Sequence, residues 1–162
     1  MKKYMTHRIM CFITAAATLL LLAGAVRAGA GPKLIVVVAK GSPIKDISKS
    51  ELKRLFMGDN VVVEGKKLVP FNLARGTPER DGFDKCVLGM TGEVVQRFWV
   101  DRKIRGQSEA PRSLPSSAIV LKVITKFPGA IAYIPEQDIT ADVQAVTVDG
   151  VGHKQPAYWI FE

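Results

Sequence analysis

The stretch from Val69 to Gly89 carries the most distinctive chemistry of the chain, and it predicts an anion cradle. An apolar strand that ends at Leu73 runs into Arg75-Gly76-Thr77, and this loop opens a helix. Unpaired backbone N–H groups and the positive end of the helix dipole meet at such a junction, where they favour phosphate or carboxylate groups. The Arg75 guanidinium would pair with either anion. A plain capped helix start, with Glu79 favourable near the dipole, explains the same residues without a ligand.

More groups able to bind an anion surround the irregular segment 104–116. Arg102 and Arg105 could bring guanidinium groups to this loop. Ser116 or Ser117, at the start of the next helix, could add a second cluster of hydrogen-bond donors that faces the first. Solvated surface arginines and ordinary helix caps remain the alternative interpretation of these four residues.

A catalytic set of nucleophile, base and orienting group cannot be assembled from this sequence. Ser50 and Lys53 match the Ser-x-x-Lys pattern of penicillin-recognising enzymes, but no Lys-Thr-Gly segment follows them. We expect Cys86 to be a small buried hydrophobe on a packed helix. His153 has no Cys, His or Asp at ligand spacing, so we expect no metal and no cofactor. The chain is therefore predicted to be non-catalytic.

The helix after Thr77 carries several acidic residues close together. Asp81 and Asp84 follow Glu79 over two helical turns and lie beside Arg80 and Lys85. Mixed charges of this kind are typical of a solvated helix face, and that is the interpretation we adopt from the sequence.

Residues 1–28 have the pattern of a cleavable export signal. Basic residues at the start precede an Ala- and Leu-rich run from Ile9 to Val26, and small residues follow. Cleavage after Ala28 or Ala30 fits the small-residue rule. Residues 31–162 would then form a single periplasmic domain, with 149–162 as its C-terminal tail.

Removal of residues 1–28 would change the charge and the cysteine count. The full chain has 23 basic and 15 acidic residues, and four of the basic ones lie in the signal, which leaves 19 against 15. This weak and mixed positive charge disfavours a nucleic-acid-binding protein. Cys86 would be the single remaining cysteine, so no intramolecular disulfide is expected, and stability must come from packing.

Helical and strand patterns alternate along the rest of the chain. This alternation predicts an α/β domain with a parallel or mixed sheet and helices on both faces. The helix that starts at Ala118 is apolar on nearly all sides, so we expect it to be mostly buried. The predicted strands are Leu34–Val38, 61–63, 67–73, Ala130–Ile134 and Val143–Val148, and the predicted helices are 48–57, 78–88, 92–105 and 118–126.

Three stretches together resemble the substrate-binding proteins of phosphate ABC importers. The first is the short helix that ends in Leu55-Phe56-Met57-Gly58, and the second is the loop and helix from Ala74 to Phe83. The third and most specific is Lys126-Phe127-Pro128-Gly129-Ala130-Ile131-Ala132-Tyr133-Ile134. The match runs from about Leu34 to Ile134 and is similar to the second lobe of this two-lobed family.

The resemblance implies a single lobe of the type II periplasmic-binding-protein fold and a phosphate site at a helix start. The family holds phosphate with a Gly-Ser-Gly-Thr type segment, and Gly76 and Thr77 match it, with Arg75 as a charged neighbour. Pro78 lacks a backbone donor and Glu79 replaces a hydroxyl by a carboxylate, so we expect weaker phosphate binding than in the family. One lobe would also leave a ligand half exposed to water unless a second copy or a partner covers it.

Two functions follow from these observations. The first is a periplasmic solute-binding protein for phosphate or another small oxyanion. The second is an interaction subunit that kept the fold and lost the ligand, and that docks onto an inner-membrane transporter, a sensor or a surface assembly through segment 104–116 or the aromatic tail. A homodimer is a separate expectation.

Overall fold

The computed structural model describes residues 33–158. The predicted export signal (1–28), both cleavage positions and the last four residues of the tail lie outside this range. In chain order the described elements are β1 (Leu34–Ala39), β2 (Asp46–Ile47), α1 (Lys49–Phe56), β3 (Val62–Val63), β4 (Lys66–Lys67), β5 (Val69–Leu73), α2 (Pro78–Phe83), a π-helical turn (Asp84–Leu88), α3 (Gly92–Ile104), β6 (Arg112–Leu114), α4 (Ser117–Lys126), β7 (Ala130–Pro135), a 3-10 turn (Glu136–Asp138), β8 (Val143–Ala145) and β9 (Thr147–Val148).

The core of the fold is a five-stranded mixed sheet with the order β6-β5-β7-β1-β8. Strand β5 pairs in parallel with β6 and β7, whereas β1 pairs antiparallel with β7 and β8. The predicted α/β class with a mixed sheet is confirmed. Both neighbours of β1 are thus antiparallel, although this strand is apolar along its whole length.

Strands β1 and β7 are buried on both faces, and this explains their apolar composition. Every residue from Leu34 to Val38 and from Ala130 to Pro135 is buried. Helix α4 packs on one face, while Phe56 of α1 and Phe83 of α2 pack around Tyr133 on the other. Burial of this apolar surface is the main stabilising contribution to the domain.

Helix α1 forms where its sequence signals predict. Ser48 accepts a hydrogen bond from the backbone N–H of Glu51, and the Glu51 carboxylate accepts one from the N–H of Ser48. The helix ends at Phe56 with Met57 as its C-cap, and Gly58 follows with a φ of 96°. A Cβ at this position would lie 2.9 Å from the Trp99 ring, so glycine also lets Trp99 pack closely here.

The Pro128-Gly129 dipeptide belongs to the most specific stretch of the family resemblance. A close backbone contact explains why glycine occupies position 129. Gly129 has a φ of 85°, and an added Cβ would lie 2.5 Å from the carbonyl oxygen of Lys67. The Gly129 carbonyl accepts a hydrogen bond from Val69 N–H at 2.9 Å. Glycine therefore allows β7 to begin in direct contact with the start of β5.

Several elements differ from the sequence-based expectations. The segment 104–116 is not wholly irregular, because residues 112–114 form β6 against β5. Helix α4 is only partly buried, with Val120 and Ile124 inside and the charged residues exposed. The predicted strand 143–148 is divided into β8, which extends the main sheet, and β9, which pairs with β2. No helix within residues 33–158 is long and apolar enough to cross a membrane.

Tyr158 closes the sheet at the point where β1 and β8 stop pairing. Its hydroxyl accepts a hydrogen bond from Val36 N–H at 3.1 Å and donates one to the Val146 carbonyl at 3.1 Å. The side chain is 4% exposed. The hydroxyl thus satisfies two buried backbone groups that have no ladder partner, and it anchors the last described residues to the sheet.

We expect Tyr158→Phe to destabilise the fold by about 1–3 kcal/mol, because it leaves both backbone groups unpaired. Burial raises the pKa of Tyr158 to about 12 from 10.0. The folded state therefore holds this proton more tightly, so the stabilisation is complete below pH 10 and is lost as the pH rises towards 12. Urea unfolding between neutral and alkaline pH measures both effects.

Thr125→Val is the matched control for Tyr158→Phe, since the Thr125 hydroxyl is exposed and bonds only within its own helix. We expect it to change stability by less than about 0.5 kcal/mol. An alkaline stability loss of equal steepness in Tyr158→Phe and in the parent protein would contradict the role given to Tyr158.

Candidate functional site

A cleft of about 490 Å³ lies between the β5–α2 loop and the start of α3. Arg75 and Gly76 line it from the loop, and Thr91 and Gly92 line it from the start of α3. Its volume lies in the range of small-molecule sites. This cleft, which we call the loop cleft, includes two of the residues that the sequence singled out.

Thr77 builds the local geometry of the loop. Its hydroxyl accepts a hydrogen bond from Arg80 N–H at 3.2 Å and donates one to the Ala74 carbonyl at 2.9 Å. Pro78 follows as the first helical residue, where its missing N–H is tolerated. Gly76 has a φ of 76°, which permits the sharp reversal into the helix. The Thr77 hydroxyl is thus used for capping.

A buried ion pair lies within the helical segment after the loop, next to the end of β5. Arg80 Nε donates to both carboxylate oxygens of Asp84 at 2.8 and 2.9 Å, and the two side chains are 5% and 2% exposed. Arg80 Nη1 also approaches the carbonyl oxygen of Leu73 at 3.5 Å. The guanidinium therefore connects α2 to the end of β5 and forms part of the wall of the loop cleft.

Two opposing effects of the surroundings act on the pKa of Asp84. Burial raises the pKa of Asp84, and the Arg80 guanidinium acts in the opposite direction. Because the Arg80 Nε contacts are short and charged, we assign the ionised carboxylate to Asp84 at neutral pH. The sequence-based expectation of a solvated face is wrong for this residue, since Arg80 and Asp84 face the core rather than water.

Tyr133 lies in the core beneath the β5–α2 loop. Its ring stacks on Phe83 at a centroid distance of 3.8 Å, and its hydroxyl accepts from Leu73 N–H at 3.4 Å and donates to Asn72 Oδ1 at 3.3 Å. Burial raises its pKa above the ordinary value. The Tyr133 hydroxyl is therefore a neutral structural group that fixes the end of β5 below the cleft.

The start of α3 faces the cleft without a side-chain cap. Thr91 is the N-cap residue, and its hydroxyl makes no capping hydrogen bond. Backbone N–H groups in the first turn of α3 are thus open to another acceptor. The positive end of the dipole of this 13-residue helix points to the same place.

Charges of both signs line the loop cleft. Arg75, Arg80 and Lys85 bring positive charge, and Asp84 neutralises Arg80 within the wall. Asp81 and Glu93 are the remaining acidic residues of the wall. An anion that binds here would lie between Arg75, Lys85 and the start of α3, and both Asp81 and Glu93 would oppose it.

The structure separates the other sequence-predicted site residues from the loop cleft. The Arg102 guanidinium lies over Phe98 and Trp99, with its Cζ 5.3 and 5.9 Å from the ring centroids. Arg105 pairs with Asp101 on the exposed face of α3. Anion-binding roles for these two arginines remain predictions.

Ser116 and Ser117 belong to another part of the surface. They line a shallow cleft of about 320 Å³ together with Asp138. The Ser116 side chain makes no capping hydrogen bond to α4. The structure therefore does not bring these hydroxyls to Arg75 and Gly76, and their binding role also remains a prediction.

Arg80 and Asp84 are the residues of the site that sequence reasoning missed. A signal was present, because positions 80, 83, 84 and 87 share one face of a continuous helical segment and Phe83 and Val87 mark that face as buried. Charged residues four apart on an apolar face indicate a buried pair rather than a solvated one. Cys86, on the same segment, is a free thiol and only half-buried. No cluster of metal-binding side chains occurs in the described part of the chain.

Comparisons with known proteins agree at the level of structure. No protein-family model matches the chain, and no curated protein matches it in sequence. Solved structures do match. An ABC-type phosphate transport receptor from Vibrio cholerae superimposes with a TM-score of 0.59 at 14% identity, over 75% of this chain and 48% of the receptor.

Two further solved structures give the same result. A putative phosphate ABC transporter substrate-binding protein with bound phosphate, from Clostridium perfringens, has a TM-score of 0.61 and 22% identity, with 76% of this chain and 48% of that protein covered. PstS from Borrelia burgdorferi has a TM-score of 0.56 and 16% identity, with 75% and 49% covered. The chain spans about half the length of these proteins. The resemblance to phosphate substrate-binding proteins is therefore confirmed as a likeness of fold, and the fold corresponds to one lobe.

We expect Arg80→Met to destabilise the protein by about 3–5 kcal/mol, because it leaves Asp84 buried without its partner. The double variant Arg80→Met/Asp84→Leu should recover much of this loss, since no charge then remains buried. Urea unfolding at neutral pH measures both. Arg54→Met is the control, because Arg54 pairs with Asp59 at the exposed surface and should contribute at most about 1 kcal/mol. Equal small losses in the two single variants would contradict the structural role of the buried pair.

Proposed function

We propose that this chain is an exported, non-catalytic binding protein for phosphate or another small oxyanion, and that the loop cleft holds the anion. The observation that carries the proposal is the convergence of Arg75, Lys85 and the uncapped start of α3 on one cleft of about 490 Å³. The one-lobe fold of phosphate substrate-binding proteins supports the same class of ligand. The predicted export signal supports a periplasmic location.

The geometry refines the roles expected from the sequence. Arg75 is the direct charge partner, Gly76 gives backbone access, and Thr77 shapes the loop through its two hydrogen bonds. Glu79 is not among the residues that line the cleft within the described chain, whereas Glu93 is. Asp81 and Glu93 are therefore the carboxylates that limit affinity for a dianion, because like charges repel more strongly at a partly desolvated site.

The test is thermal unfolding of the purified protein with phosphate, sulfate and nitrate. An anion at about a hundred times its dissociation constant should add about 2.7 kcal/mol and raise the melting temperature by several degrees. We expect Arg75→Ala to reduce the affinity at least about tenfold, since it removes a charged hydrogen bond. Glu93→Gln should raise the affinity for phosphate.

Two variants control for net charge. Arg54→Ala removes one positive charge at an exposed pair outside the cleft, and Glu79→Gln removes one negative charge next to the cap. Both should leave the anion-induced change in melting temperature unaltered. A protein whose transition does not respond to any of these anions would not be an oxyanion-binding protein of the proposed kind.

One observation favours a second function, docking onto another envelope protein. Val100 and Ile104 lie one turn apart on α3 and are 52% and 80% exposed. Apolar side chains in such a pair are typical of a contact surface when they lie next to charged residues. A membrane transporter, a sensor or a second copy of the chain could use this surface.

For docking, we expect Ile104→Ser to abolish the association without a change in melting temperature. Sedimentation over a range of concentrations tests a second copy, and photocrosslinking from position 104 in intact cells tests an envelope partner. Val62→Ser, at a 60% exposed position on the β3–β4 hairpin, is the control and should have no effect. Identical association of both variants and the parent protein would exclude this surface.

A further inference from the structure

A second cleft, of about 270 Å³, lies at the end of the sheet opposite to the loop cleft. The loop cleft lies beyond Leu73, the last residue of β5, whereas this one lies at Ala130, where β7 begins beside Val69, the first residue of β5. Its walls come from the turn after β1, the β3–β4 hairpin and the turn between α4 and β7. We call it the lysine cleft, and within residues 33–158 it shares no residue with the loop cleft.

Hydrogen bonds and close packing hold the three wall segments in place. Val69 N–H donates to the Gly129 carbonyl at 2.9 Å, and a Cβ at Gly129 would lie 2.5 Å from the carbonyl oxygen of Lys67. The hairpin therefore meets the α4–β7 turn directly. The Gln144 side chain donates to the Ser42 carbonyl at 2.9 Å and so anchors the turn after β1. The lysine cleft is thus built on the core sheet.

Three lysines line the cleft, and no acidic residue from the described part of the chain does so. They are Lys40, Lys66 and Lys126, and all three are exposed. None of their ammonium groups forms an ion pair or a hydrogen bond with another of residues 33–158. Positive charges grouped in this way attract a negatively charged partner.

The lysines outnumber the opposing charges of their surroundings. Lys67 on the hairpin and Lys122 on α4 add two exposed positive charges. Glu64 in the hairpin turn and Asp142, whose carbonyl accepts from Lys40 N–H, add two negative ones. The end of the α4 dipole contributes about half a negative charge more. Five lysines therefore leave this end of the domain with an excess of positive charge.

Exposed apolar surface lies next to these lysines. Phe127, the C-cap residue of α4, is 57% exposed and comes between Lys126 and Pro128, which both line the cleft. Pro43 and Pro128 are exposed as well. An aromatic ring beside lysines is typical of a membrane–water boundary, where the ring enters the boundary and the ammonium groups stay in water.

The kind of cation favours a membrane over a protein partner. Every cationic side chain that lines the cleft within the described chain belongs to a lysine, whereas protein interfaces are enriched in arginine and depleted of lysine. The ammonium group is a compact, hydrated charge on a flexible stem, so it suits headgroup phosphates whose positions are not fixed. Each lysine near an anionic lipid surface strengthens binding about fivefold.

We propose that the lysine cleft and Phe127 form a peripheral binding surface for a phospholipid membrane that contains phosphatidylglycerol. The lysines pair with the lipid phosphates, and the Phe127 ring enters the boundary between the headgroups and the acyl chains. This activity goes beyond oxyanion binding, because the loop cleft lies at the other end of the sheet and remains free to hold its own ligand.

The experiment measures co-sedimentation of the purified protein with vesicles of phosphatidylglycerol and phosphatidylcholine in equal parts. Vesicles of phosphatidylcholine alone have no net charge and serve as the matched probe. We expect stronger binding to the anionic vesicles, and we expect high salt to weaken it, because salt screens exposed charges. Every variant carries the same residues 1–28 as the parent protein, so differences between them report on the substituted positions.

Lys66→Gln/Lys126→Gln should weaken binding to the anionic vesicles about twentyfold, since it removes two charges that each contribute about fivefold. Phe127→Ser should weaken it at least about fivefold, whereas Phe127→Trp should retain it, because an aromatic ring can still enter the boundary. Lys53→Gln/Lys103→Gln removes two exposed charges that do not line the cleft, and it should bind like the parent protein. Melting temperatures check that all variants fold.

Several results would overturn the proposal. These are an equal loss of vesicle binding in the two double variants, unchanged binding of Phe127→Ser, and release from the vesicles by inorganic phosphate at constant ionic strength, which would indicate a site for a free anion. Retention on immobilised polyglutamate without binding to either kind of vesicle would assign the cleft to an acidic protein instead.

Two further measurements separate this proposal from the functions proposed above. Ile104→Ser, which tests docking onto a protein, should bind the vesicles like the parent protein, since Ile104 does not line the lysine cleft. Lys66→Gln/Lys126→Gln should keep the phosphate-induced change in melting temperature, because neither lysine lines the loop cleft. Failure of one proposal is thus distinguishable from failure of the others.

Discussion

Burial of the Arg80 guanidinium is the constraint on which the site depends. A charge in the core requires a partner and hydrogen bonds, and Asp84 and the Leu73 carbonyl provide them. The approach of Arg80 to the Leu73 carbonyl links the start of α2 to the end of β5, on either side of the intervening loop. Phe83, between the two charged residues, then stacks on Tyr133. The loop cleft is therefore positioned by the core beneath it, and Arg75 is free to face a ligand.

Two tyrosine hydroxyls form hydrogen bonds with strand backbone groups at two places where neighbouring strands diverge. Tyr133 fills the gap where β7 leaves β5, and Tyr158 fills the gap where β8 leaves β1. Each hydroxyl both donates and accepts. Tyr158 pairs with two backbone groups, whereas Tyr133 pairs with the Leu73 N–H and with the Asn72 side chain. The Val36 and Leu73 N–H groups and the Val146 carbonyl are therefore hydrogen-bonded where the neighbouring strands diverge.

Helix α3 contributes to both proposed functions. Its start lines the loop cleft, and its exposed end carries Ile104. This arrangement occurs on a chain that spans about half the length of the phosphate-binding proteins it resembles in fold.

The sequence by itself determined those features whose causes are local. The capping box of Ser48 and Glu51, the Thr77-Pro78 helix start, and the buried runs of β1 and β7 followed from spacing and composition, and so did the α/β class. The tertiary structure alone decided the antiparallel neighbours of β1, the pairing of β6 with β5, the burial of Arg80 with Asp84, and the separation of Ser116 and Ser117 from Arg75. The physical reason is that strand order, burial of a charge and convergence of side chains depend on contacts between residues far apart in the chain, whereas caps and hydrophobic periodicity act within a few residues.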